Sequence, residues 1–154
     1  MLVVCDASPI RYLVLVEAVE VLPRIFAAIV IPEAVRSELS HERTPAPVRD
    51  WGSRPPSWLG VAIPASSEAL DLDQGEAQAV LLAEELRADA LLIDDRKGRQ
   101  LAKARHLSVI GTLGILFRAG ELGLLDLDAA VDRLLNRTNF RVSASFLRTW
   151  RPKK

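Results

Sequence analysis

Asp6 stands directly after a short apolar run, residues 2–5, and Asp94 and Asp95 stand directly after another, residues 90–93. An acid in that position gains little structurally, so its chemistry is the more informative reading. In open parallel sheets, ligands bind beyond the carboxyl ends of the strands, where the strand order reverses. If the two runs are neighbouring strands, Asp6 meets the Asp94–Asp95 pair. Carboxylates crowded there repel one another, and a hard divalent cation is the usual compensation. Two further acids carry competing readings. Glu38 falls near the end of a helix expected over 32–40, where the helix dipole disfavours negative charge; by position alone it is an exposed surface residue. Glu76 completes Asp73-Gln74-Gly75-Glu76, the pattern of a capping box with Asp73 as N-cap. Asp95 can likewise cap the helix that follows it.

Other chemistries find little support. The chain has no GxSxG elbow, no Walker loop and no GxGxxG. Its two histidines, His41 and His106, stand apart, and no Cys/His cluster has zinc spacing. The single cysteine, Cys5, excludes an internal disulfide framework and fits a reducing compartment. Gly111-Thr112-Leu113-Gly114 offers a tight turn of the kind that cradles a phosphate, a weak signal by itself.

The elements that must position these residues alternate. Apolar runs at 2–5, 28–31, 59–63, 90–93 and 107–110 are short, partly β-branched and nearly continuous, as strands buried on both faces of a parallel sheet are. Helical patterns lie between them. One starts at Ser8-Pro9 and runs to about residue 21, and others cover 32–40, 75–86, 96–105 and 113–119. Residues 41–57 carry four prolines and form the one loop-rich stretch, with a short helix around 48–51. Beyond Gly123 the chain reads helical again, over 126–136 and 143–150. The alternation argues for an α/β fold on a parallel sheet.

With 154 residues, 49% of them apolar and 26% charged, the chain is expected to form one domain over 1–154, and wholesale disorder is excluded. No apolar stretch is long enough to cross a membrane, and no basic segment precedes the N-terminal apolar run, so a cytoplasmic location is expected. The net charge is zero but unevenly spread. Seven of the twenty basic residues, and none of the twenty acids, lie from Arg133 onward, so the first 132 residues carry a net charge of −7. An acidic body with a basic, helical tail suits a cation site paired with a polyanion contact; a solvated helix with a frayed end is the plainer reading.

Taken in order, VVCDASP, IPEAVRSEL, LDQGEAQAVLLAEE, ADALLIDDRKGRQLA and VIGTLGIL resemble the PIN-domain ribonucleases, including the VapC-type toxins of bacterial toxin–antitoxin pairs. The resemblance covers residues 1 to about 120, and the tail DRLLNRTNFRVSASFLRTW is similar to one PIN subgroup. It implies a three-layer α/β/α fold with strand order 3-2-1-4-5, which makes strands one and four neighbours. It implies Mg²⁺ or Mn²⁺ held by Asp6, Glu38, Glu76 and Asp95, with Asp94 assisting, and Ser8 as the small polar residue near the first acid. The implied reaction is hydrolysis of RNA phosphodiester bonds, leaving a 5′-phosphate and a 3′-hydroxyl. A small antitoxin protein and a homodimer are the implied partners. Two departures from the commonest toxin pattern stand out: Glu76 where many relatives have Asp, and Ile93-Asp94-Asp95 where toxins usually have Thr-x-Asp. Because the acidic body repels RNA, Arg96, Lys97, Arg99, Thr112 and the basic tail are the candidate substrate contacts. A catalytically inactive PIN-like interaction module is the competing reading, and a nucleotide-binding α/β protein is a weaker one.

Overall fold

In the computed structural model, which describes residues 1–150, five parallel strands form one sheet: β1 (Leu2–Cys5), β2 (Ala28–Pro32), β3 (Leu59–Ala62), β4 (Ala90–Leu92) and β5 (Val109–Ile110). Their order is β3-β2-β1-β4-β5, as the family resemblance implied. β1 lies between β2 and β4, with Val3 opposite Ile29 and Cys5 opposite Leu92. The strand order therefore reverses at β1 and β4.

Side chains alternate across the central strands. Val3, Cys5, Ala90 and Leu92 enter a core with α1 (Ala7–Leu15), α7 (Thr112–Glu121) and α8 (Leu127–Arg137). Val4, Leu91 and Ile93 enter the opposite core with α5 (Gln74–Glu85) and α6 (Arg96–Ala104). Two-sided burial explains the near-continuous apolar runs of β1 and β4. The expectation of two-sided burial fails at β3, an edge strand where Gly60 and Val61 are exposed.

The helices follow the expected order with one real difference. The single helix expected from Ser8-Pro9 to about residue 21 is broken. α1 stops at Leu15, Glu17 takes the left-handed conformation (φ 61°), and a 3₁₀ turn (Val19–Val21) leads into the short α2 (Leu22–Ile25). Valines 14, 16, 19 and 21 disfavour a continuous helix here. α3 (Glu33–Leu39) begins just after Pro32, and the Pro-rich stretch contains α4 (Ala46–Ser53), longer than the short helix expected there. Gly52 lets α4 close on α3, since a Cβ there would lie 2.9 Å from Leu39 Cβ. The last helix, α9 (Ala144–Thr149), buries none of its residues; the final basic residues of the tail lie outside the described chain. Among the described residues no helix is long and apolar enough to cross a membrane.

Candidate active site

The carboxyl ends of β1 and β4 bring the acids together. The Asp6 N–H donates to the Leu92 carbonyl (2.9 Å), extending the β1–β4 ladder by one residue and fixing Asp6 beside the start of the Asp94–Asp95 pair. Asp6 is 4% exposed and precedes α1, yet its side chain makes no capping hydrogen bond to that helix. Burial pushes its carboxyl up to about 7, against the pull of the Ala7 N–H; Glu38, Asp73 and Asp94 raise it further.

α5 delivers the second group. Asp73 is its N-cap, with Oδ1 accepting the Glu76 N–H at 2.8 Å. This is half of the expected capping box. Instead of reaching back to the Asp73 N–H, the Glu76 side chain turns into the site, 9% exposed, on the side where Asp73 and Asp95 lie. No donor reaches its buried Oε2. Burial first, then those two acids, hold the Glu76 carboxyl far above the usual range. Glu38 stands on α3 at the rim and is exposed, as its position alone suggested. A Cβ on Gly75 would lie 3.6 Å from Glu38 Oε1 and 3.7 Å from Asp73 Oδ1, so a bare backbone there leaves both carboxylates room. Loss of water and the charge of Asp73 raise Glu38, while Arg11 lowers it.

The adjacent pair divides its work. Asp95 caps α6 through Oδ2, which accepts the Gly98 N–H at 2.9 Å, and still meets Glu76. Asp94 points the other way. Oδ1 accepts the Thr112 N–H (2.8 Å) and Oδ2 accepts the Thr112 hydroxyl (2.6 Å). Thr112 is fully buried, so the phosphate-turn expectation meets a residue already committed to Asp94. Burial raises the Asp94 carboxyl, opposed by the Thr112 bonds and by Arg99. Ser8 lines a cavity of about 320 Å³ with Asp94 and Asp95. Arg96 and Arg99 line a neighbouring cleft, whereas Lys97 turns away to pair with the exposed Asp71 at 2.8 Å.

Three residues at the site were not assigned a part in its chemistry from sequence. Asp73 entered only as a cap, and its position one turn before Glu76 was the available signal. Arg11 and His41 join Glu38 and Asp73 in a second cavity of about 440 Å³. The buried Arg11 Nε has no hydrogen-bond partner.

Comparison with known proteins fits this architecture. A family model described as a PIN domain (DUF3368) matches residues 2–153. The chain belongs to the PIN-domain family. Among solved structures it is similar to a PilT N-terminus domain protein from the hyperthermophilic archaeon Sulfolobus solfataricus P2. The identity is 14%, with 92% of this chain and 100% of that one covered and a TM-score of 0.48. No curated protein matches. The PIN domain is generally a nuclease fold, and its members typically use divalent metal ions. The oxygen-only donor set of this PIN domain fits such an ion, as does a buried Glu76 Oε2 without a donor. Among the described residues, no three Asp, Glu, His or Cys side chains converge as a ready-made ion cage.

Proposed function

We propose that this PIN domain is a metal-dependent endoribonuclease, with Asp6, Glu38, Glu76 and Asp95 as its acidic centre and Asp73 beside them. The observation that supports this most is a buried Glu76 Oε2 that no donor reaches, on the same side of Gly98 as the Asp95 carboxylate: a Cβ on Gly98 would lie 3.0 Å from Glu76 Oε2 and 3.6 Å from Asp95 Oδ2. Carboxylates meet this way only with a proton or a cation among them. Asp6 and Glu76 would hold Mg²⁺ or Mn²⁺, with Asp95 and Glu38 completing the set. When bound, the ion lowers the pKa of a coordinated water and neutralises charge on the phosphate. The strand ends fix where the carboxylates stand, and Arg11 favours the charged form of Glu38 at the rim. Asp94, held by Thr112, acts as a positioning residue between the acids and α7.

The finer reading is a toxin of a toxin–antitoxin pair, cytoplasmic, homodimeric and silenced by a small antitoxin. It rests on the sequence resemblance. A small DNA-binding protein encoded beside this gene is the expected companion.

One observation favours the inactive module. Asp73, Asp94 and Asp95 each accept hydrogen bonds that stabilise the fold, so those acids have a structural use. Incubating the protein with RNA in Mn²⁺ and in EDTA separates the readings. The nuclease gives products with 5′-phosphate ends in Mn²⁺ alone. Intact RNA under both conditions favours the module.

A further inference from the structure

β3 ends the sheet, with β2 on one side and no strand on the other among the described residues. The outward backbone groups of such a strand form an open row of donors and acceptors, a template for another strand. The opposite edge, β5, is two residues long and half-buried, whereas β3 runs for four, with Gly60 and Val61 exposed. Edge strands are commonly blunted by a charge or a proline, and residues 59–63 contain neither. Side chains alternate along the strand. Leu59 enters the core with α1, and Ala62 packs against the core with α5. Val61 and, by the same alternation, Ile63 fall on the face of Leu59, 39% and 72% exposed. Ile63 is the most exposed large apolar side chain among the described residues. Charges flank the strand. Arg54, before it, is exposed and forms no ion pair among the described residues. Glu68, after it, presents a half-exposed carboxylate that Arg105 holds at the surface.

We infer that the free edge of β3 pairs antiparallel with β3 of a second copy of this chain, joining two five-stranded sheets into one. Two copies related in this way share a twofold axis perpendicular to the sheet, an isologous contact. That axis keeps every residue on its own face, and opposed residues of a strand pair point to the same face. Val61 can therefore oppose Val61 of the second copy but not its Gly60. This register sets Ile63 against Leu59 and Gly60 against Ala62, so both exposed apolar side chains are covered. The neighbouring register, centred on Gly60, sets Ile63 against Ser57 and leaves it bare. Continued past the strand ends, the favoured register carries Arg54 toward Glu68 of the second copy, cation against anion. The symmetry makes this charge match twice, which selects a second copy over an unrelated strand. Antiparallel pairing also sends the two acidic centres, at the carboxyl ends of β1 and β4, to opposite edges of the joined sheet, so neither is covered. Nothing in this contact depends on RNA cleavage.

Sedimentation equilibrium of the full chain over a wide range of concentration, together with cysteine cross-linking, tests this without metal or RNA. The wild type should pass from monomer to dimer as concentration rises. Val61→Lys/Ile63→Lys sets like charges against each other across the pair and should weaken dimerisation at least tenfold. Both side chains are exposed, so its melting temperature should stay near that of the wild-type monomer. Arg54→Glu should weaken the dimer less, and the effect should fade in high salt. Val61→Cys places two thiols on directly opposed residues, whose Cα atoms stand about 4.5–5.5 Å apart in an antiparallel pair, within reach of a disulfide. Mild oxidation should link it into a covalent dimer at least tenfold faster than Leu122→Cys, an exposed apolar position away from this edge. The native Cys5 is buried and should take no part. A monomer at every concentration overturns the inference, and so does a dimer that Val61→Lys/Ile63→Lys leaves intact. Cross-linking of Val61→Cys no faster than that of Leu122→Cys overturns it too, because any dimer would then meet through another surface.

Discussion

Glu76 Oε2 lies against Gly98, so close that a Cβ on Gly98 would sit 3.0 Å from it and 2.7 Å from Ile93 Cδ1. A helix residue without a side chain thus makes the space in which a buried carboxylate turns toward Asp73 and Asp95. Gly98→Ala should displace Glu76. Overpacking costs about 1–3 kcal/mol, and the better helix propensity of alanine returns up to about 1. The expected outcome is a modest fall in melting temperature with RNA cleavage reduced at least tenfold. Melts and cleavage assays on the same preparation check it; unchanged cleavage would show that this contact does not set the site.

Glu76→Gln separates the helix end from the chemistry. The cap on α5 is made by Asp73, which accepts the Glu76 backbone N–H, so the glutamate side chain is not needed for it. Glutamine removes one repelling charge and brings an amide donor to Asp73 and Asp95. The variant should melt higher than the wild type in EDTA and lose cleavage in Mn²⁺. Asp73→Ala should instead melt lower, by the ~1 kcal/mol typical of a lost N-cap. A lower melting temperature for Glu76→Gln would contradict this division.

Metal-free stability should fall as pH rises. Burial raises the folded-state pKa of Asp6 from 3.8 to about 7 and that of Glu76 in the same direction. Between the unfolded and folded values the native state binds more protons than the unfolded chain, so each pH increment there favours unfolding. The stabilisation is complete below about pH 4 and, for Asp6, gone above about pH 7. For these groups, melts in EDTA should give a higher melting temperature at pH 5.5 than at pH 8. Asp6→Asn should flatten the trend, and Mn²⁺ at pH 8 should restore the lost stability. A rise in stability from pH 5.5 to 8 in EDTA that Asp6→Asn leaves intact would contradict the assignment.

Thr112→Val tests the buried support of Asp94. The hydroxyl bond of 2.6 Å is lost and Asp94 Oδ2 is left without that donor, at a cost of about 1–3 kcal/mol. The melting temperature should drop by several degrees. Weaker RNA binding at an unchanged melting temperature would instead make Thr112 a substrate contact.

The strands of the centre were legible because burial on both faces of β1 and β4 leaves apolar runs with an acid just beyond each, whereas the strand order was implied by the family resemblance alone. The Asp6 position follows from that directly. The break after α1 was not legible, because Glu17 in a left-handed turn carries no glycine or proline signal. The half-formed capping box was not legible either. Asp73-Gln74-Gly75-Glu76 reads the same whether the glutamate caps or turns inward, and the space it turns into is left by Gly98, 22 residues later. The division between Asp94 and Asp95 depends on Thr112, which a distant strand end brings into place. Arg11 joined the site because α1 and α3 pack side by side, a juxtaposition that one sequence does not print.

The most direct test is RNA cleavage in Mn²⁺ by the wild type and by Asp6→Asn, with thermal melts confirming that both are folded. Asp6 is buried at the end of β1 with no capping bond to lose, so the nearly isosteric amide should preserve the fold while removing a ligand for a hard cation. The account predicts cleavage by the wild type that EDTA abolishes, and a loss of at least tenfold in the variant, or ~1.4 kcal/mol of transition-state stabilisation. Cleavage by folded Asp6→Asn at the wild-type rate, or no cleavage by the wild type in Mn²⁺, would contradict it.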